Sequence, residues 1–127
     1  MNTPVYDFLI NYAQQDPVRL HMPGHKGRFG APALQKATAL DITEITGADS
    51  LFEASGILAE SEKNASSLYG TAYTFYSCGG STLCIQTMLL LMKQQGRRVL
   101  AARNVHRAFL NACVLLDIPV QWIYPRK

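Results

Sequence analysis

The sequence predicts an α/β fold: a partial parallel sheet with flanking helices, preceded by an N-terminal helix and loop segment. Three observations predict it. From Ile57 onward, stretches with helical spacing alternate with strand-like ones, as in a parallel sheet with right-handed crossovers. A run of small residues, Ser77 to Thr82, separates a strand-like stretch from an apolar helical one. Only three strand-like stretches take part, too few for a parallel sheet covered on both faces, so the front part of a larger α/β domain is expected. The expected division is a helix and loop segment over residues 1–45 and an incomplete α/β domain over 46–127.

Each element has its own local reason. Thr3-Pro4 reads as an N-cap followed by proline at the first helical position. Val5, Phe8, Leu9 and Tyr12 then share one face of a short helix, which Asp16-Pro17 stops. Pro23, Gly24, Gly27 and Gly30 make Leu20 to Pro32 a loop with fixed turns. A short helix is expected around Ala33 to Ala39, then a short strand or extended segment over Leu40 to Ile45, then a loop over Thr46 to Gly56. Ile57 to Tyr69 is helical, with Gly70 as its C-cap. Tyr73 to Tyr76 is β-branched and aromatic and reads as a strand. Leu83 to Gln95 is apolar almost all round, which predicts a buried helix; Gly96 closes it, and Arg97 and Arg98 suit its C-terminal dipole. Arg98 to Ala101 and Pro119 to Tyr124 read as strands, joined by a helix from about Val105 to Leu116 that Asn104 can cap.

Composition narrows the function. The chain has 127 residues, 48% of them hydrophobic and 17% charged, so it can bury a core. Its formal charge is only +3 and its basic residues are scattered, which argues against a nucleic-acid partner. Met88 to Met92, its longest strongly apolar run, is far shorter than the roughly 20 residues a bilayer needs, so no membrane partner is expected. Three cysteines, Cys78, Cys84 and Cys113, form no CxxC pair. They argue against a disulfide scaffold and a metal knuckle, and for a reducing cytoplasm.

Three motifs stand out. Ser77-Cys78-Gly79-Gly80-Ser81-Thr82 opens a helix after a strand-like stretch, where backbone N–H groups and two hydroxyls suit a phosphate. It lacks the P-loop and dinucleotide patterns, and a tight turn with a Ser/Thr cap accounts for it equally well. His106 follows a strand, where ligands collect in open α/β sheets; its imidazole can stack on an aromatic cofactor or simply bond to backbone at a helix start. His21 and His25 have the HxxxH spacing of a zinc pair, but Pro23 and Gly24 between them forbid a regular helix and no third ligand is evident, so no metal is expected. His21, His25 and Lys26 read instead as a rigid cationic loop or as an ordinary surface loop. Tyr73, Phe75, Tyr76 and the stripe from Leu83 to Met92 read as core, and Cys78 as a small residue beside the turn.

Taken together and in this order, HMPGHKG, GGST and NVHR resemble the Orn/Lys/Arg decarboxylase family of pyridoxal-phosphate enzymes with the aspartate-aminotransferase type of fold. The resemblance runs from Thr3 to Pro119. It implies that Gly80, Ser81 and Thr82 hold the phosphate of pyridoxal 5′-phosphate and that His106 stacks on its ring. His21, His25 and Lys26 would lie on a loop near the active site. It implies decarboxylation of lysine, arginine or ornithine to CO2 and an amine, by a homodimer or higher oligomer. Family members are much longer, and their imine-forming lysine and ring-nitrogen aspartate correspond to positions beyond residue 127. None of Lys26, Lys36, Lys63, Lys93 and Lys127 lies in that context, so this chain alone is expected to be an inactive N-terminal portion. Ala48 to Gly56 departs from the family's usual Asp-Leu-His and Pro-x-Gly-Pro patterns. Two non-enzymatic alternatives are an assembly module and a general phosphate-ligand-binding module.

Overall fold

A computed structural model describes residues 2–125. The chain divides into two compact units, Met1–Tyr76 and Ser77–Lys127.

The first unit is helical. Helix α1 (Pro4–Gln14) packs against α2 (Gln35–Leu40) and α3 (Ile57–Tyr69), and a 3-10 turn, Pro32–Leu34, leads into α2. The expected cap at Thr3 takes another form. Its hydroxyl makes no capping bond to helix backbone and instead donates to Asp7 Oδ1 at 3.1 Å, while its N–H donates to Asp7 Oδ2 at 3.3 Å. Helix α3 has the predicted span and ends at Gly70 with φ +65°, a left-handed conformation that glycine adopts without steric cost. After α2 the backbone turns extended at Asp41 without forming a strand.

The strand expected over Tyr73 to Tyr76 does not form. β-Propensity is realised only beside a pairing partner, and the first unit offers none among the described residues. The Tyr76 N–H instead donates to a Glu62 carboxylate oxygen at 2.8 Å. Tyr73 and Phe75 are 80% and 79% exposed, so these aromatics are not core.

The second unit is α/β: α4 (Gly80–Gln94), β1 (Val99–Ala102), α5 (Arg107–Leu115) and β2 (Val120–Ile123). The two strands are parallel, with Val99 opposite Val120 and Ala102 opposite Ile123. The sheet therefore has two strands among the described residues rather than three, and its direction is as predicted. Its core is Leu89, Val99, Ala112 and Cys113, with Ile85, Phe109, Leu116, Ile118 and Val120 packed against it.

Helix α4 starts at Gly80, three residues before the expected start, and takes Ser81 and Thr82 into its first turn. It is not a buried helix: Leu89 is its one buried residue, and Leu83, Met88, Leu90 and Leu91 are exposed. One neighbouring helix and a two-stranded sheet cover only one of its faces. The cap of α5 also differs from expectation. His106, not Asn104, is the N-cap residue, and its Nδ1 accepts the Ala108 N–H at 3.1 Å. No helix among the described residues is long and apolar enough to cross a membrane.

Candidate functional site

In the second unit, the glycine pair sets the start of α4. Gly80 has φ +62°, and a Cβ there would meet nothing within 4 Å. A Cβ on Gly79 would lie 2.6 Å from the Leu83 side chain, so that position tolerates only glycine at this spacing. Ser77 Oγ accepts the Gly79 N–H at 3.2 Å and fixes the approach to the helix. No side chain caps α4, and among the described residues the Ser81 and Thr82 hydroxyls have no hydrogen-bond partner. The first-turn N–H groups of a helix have no intrahelical acceptor and carry a partial positive charge. Open space before Gly80, unspent N–H groups and two free hydroxyls fit a phosphate group.

His106 is exposed. Because Nδ1 accepts the Ala108 N–H, the neutral ring carries its proton on Nε2. Capping consumes an in-plane lone pair and makes no use of either ring face. The backbone-bonded histidine and the stacking histidine are therefore compatible roles of one side chain.

Packing brings these two features to one end. Leu89 of α4 meets Ala112 and Cys113 of α5, and one turn further along each helix Lys93 Nζ donates to the Leu116 carbonyl at 2.6 Å. The helices thus run in the same direction. Gly80 lies about 13 Å before Leu89 along its axis and His106 about 10 Å before Cys113 along its own, at 1.5 Å per residue. Since α5 directly follows β1, this end is also the carboxyl edge of the parallel pair, where open α/β sheets bind ligands.

The HMPGHK loop lies in the first unit and is non-helical, as the Pro-Gly pair demands. His21 Nδ1 donates to the Met22 carbonyl, so its Nε2 accepts the Tyr12 hydroxyl at 2.6 Å. Lys26 Nζ donates to the His21 carbonyl at 2.6 Å. His25 Nδ1 accepts the Gly27 N–H, and its Nε2 donates to Asp41 Oδ2, both at 3.1 Å. All three side chains are committed within the unit, and no metal-holding cluster occurs among the described residues.

Beneath this loop lies Arg19, the one buried polar residue of the unit among the described residues. It donates to the carbonyls of Thr38, Ala39 and Asp41 where α2 ends, and it lies 4.9 Å over the Tyr12 ring. Gly27 presses on it: a Cβ there would sit 2.5 Å from the guanidinium carbon. In the loop before α3, the Asp49 carboxylate accepts N–H groups from Ser50, Ser55, Gly56 and Leu58. These bonds, led by that of Ser55, hold its pKa down at about 2. Neither anchor carries a local sequence signal. A third residue without one is Arg103, just past β1, whose guanidinium lies 5.2 Å over the Trp122 ring and 5.9 Å over that of Tyr124.

Residues 3–127 match the family described as Orn/Lys/Arg decarboxylase, major domain. The chain belongs to the Orn/Lys/Arg decarboxylase family. Relatives of this decarboxylase-family chain include an arginine decarboxylase of Halalkalibacterium halodurans, 30% identical over 97% of the chain and 26% of the relative. An arginine decarboxylase of Bacillus cereus is 28% identical over 97% of the chain and 28% of its own length. The lysine decarboxylase LdcA of Pseudomonas aeruginosa is 23% identical over 98% of the chain and 18% of its own length. The chain spans about a quarter of the length of the first of these relatives.

Proposed function

We propose that this chain is the cofactor-phosphate-binding portion of a pyridoxal-phosphate-dependent decarboxylase acting on a basic amino acid: arginine, lysine or ornithine. The observation that carries the reading is the end shared by the α4 turn and His106 in a chain of this family. In this reading the Gly80, Ser81 and Thr82 N–H groups and the two hydroxyls grip the phosphate dianion. His106, held in plane by its bond to Ala108, presents a ring face to the pyridine. When bound, the cofactor supplies an electron sink for cleavage of the bond to the carboxylate.

The 127-residue chain by itself gives no turnover in this proposal. Lys26 and Lys93 are spent on carbonyl groups, and no lysine of the chain sits in the context the covalent attachment requires. The whole enzyme is placed in the cytoplasm as a homodimer or higher oligomer, in keeping with three unpaired thiols and the exposed apolar flank of α4.

The test is a titration of the chain with pyridoxal phosphate and with inorganic phosphate. Pyridoxal phosphate should bind more tightly. His106→Asn keeps a capping side chain but removes the aromatic face. It should weaken pyridoxal phosphate by about 1 kcal/mol, the scale of one stacked pair, and leave inorganic phosphate unchanged. Equal affinity for the two ligands, or release of CO2 from arginine, lysine or ornithine by this chain alone, would overturn the reading.

A further inference from the structure

We infer that Arg103 is a receptor for an oxyanion, a carboxylate or a phosphate, at the carboxyl edge of the parallel strand pair. The inference goes beyond the α4 turn and His106 and uses neither.

Three observations meet at this residue. The first is register. Ala102 pairs with Ile123, so Arg103 and Tyr124 are the first residues past the two strand ends. Trp122 lies opposite Ala101, and in strands residues two apart share a face. Trp122 therefore lies on the sheet face that also carries buried Val99 and Ala101, the face that the helices cover, and Arg103 reaches its ring and that of Tyr124 from just past β1.

The second is restraint. The Arg103 guanidinium lies within cation–π range of two rings, 5.2 Å from the centre of Trp122 and 5.9 Å from that of Tyr124, a contact that uses none of its N–H donors in a hydrogen bond. An arginine on the surface normally samples many rotamers; two aromatic contacts reduce that freedom before any ligand arrives, which lowers the entropy cost of binding. The third is vacancy of its donors. Among the described residues, the side chains of Arg97, Arg98, Arg103 and Arg107 make no hydrogen bond and no ion pair, and of these four Arg103 is the one held over aromatic rings. A planar fork of N–H groups matches two oxygens of a carboxylate or phosphate. It stands at the edge where α/β sheets take their ligands.

The chain supplies its own reporter, because Trp122 is its single tryptophan. Titrate the 127-residue chain with acetate and, separately, with inorganic phosphate, against chloride at matched ionic strength, and follow tryptophan fluorescence. At least one oxyanion should give a saturable change that chloride does not. Arg103→Gln should raise the half-saturating concentration tenfold or more, and Arg103→Lys, which keeps the charge without the fork, should fall between. A response to acetate alone assigns a carboxylate; a response to phosphate that Arg103→Gln weakens assigns a phosphate. In the unmodified chain, the Arg103 Nε–H resonance should move along the same titration curve. A flat response to both anions, an unmoved resonance, or a phosphate response lost in Ser81→Ala but kept in Arg103→Gln would overturn the inference. Pyridoxal phosphate takes no part, so failure here leaves the cofactor reading standing, and the reverse.

Discussion

Replacing Arg19 with alanine should be among the most damaging single changes in the first unit. The magnitude follows from its contacts. Counting only the bonds to the Ala39 and Asp41 carbonyls, at about 1.5 kcal/mol each for bonds made by a charged group, gives about 3 kcal/mol. The contact with the Tyr12 ring adds about 0.5–1 kcal/mol. The expected loss is therefore about 3.5–4 kcal/mol, with Arg19→Lys losing about half as it keeps a point charge but not the fork. Trp122 lies in the other unit, so urea unfolding should be followed by far-UV circular dichroism and tyrosine fluorescence. Gly27→Ala supplies an internal check. In the native chain it meets the guanidinium and a φ of +74°; in Arg19→Ala only the backbone strain remains, about 1–2 kcal/mol. The two substitutions should thus be coupled. A loss below about 1 kcal/mol for Arg19→Ala, or strict additivity with Gly27→Ala, would refute the reasoning.

Four further outcomes are expected. The depressed Asp49 pKa means that its contribution is present above about pH 4 and fades as pH falls toward 2; unfolding midpoints measured from pH 5 to 2 should drop less steeply in Asp49→Asn. Leu89→Ala, at a position 2% exposed, should cost about 2–5 kcal/mol, read from the Trp122 unfolding transition. His106→Ala should cost about 1 kcal/mol through loss of the cap, and His106→Asn should recover most of it in the same melt. Cys78 and Cys84 are exposed, while burial shields Cys113 and pushes its thiol pKa up. A disulfide reagent should therefore modify two thiols quickly and the third only as the chain unfolds.

Legibility in the sequence tracked how local the physics was. Helix α3 could be read end to end because its period and its Gly70 cap lie within one stretch of chain. The β1–α5–β2 order was equally legible, since short apolar strands and a crossover helix leave one sensible pairing. Tyr73 to Tyr76 misled because strand propensity is a statement about neighbours, and its neighbour there is a helix carboxylate. The apolar stripe of α4 misled for a related reason: hydrophobicity marks what can be covered, and only one side of α4 is. At the candidate site, the glycine turn and His106 were legible as motifs, yet His106 rather than Asn104 as the cap was not, because rotamer and backbone decide between two polar residues two positions apart. Arg19, Asp49 and Arg103 gave no signal, since each acts across a span that sequence spacing does not encode.

The bond from Lys93 to Leu116 joins the two long helices of the second unit where they finish. Among the described residues no side-chain hydrogen bond joins their beginnings, so the restraint between them is concentrated at the finishing end. With a lever of about 20 Å from Lys93 back to Gly80, a tilt of only about 5° would carry the start of α4 by nearly 2 Å, so the packing around Leu89 sets where the glycine turn stands relative to His106.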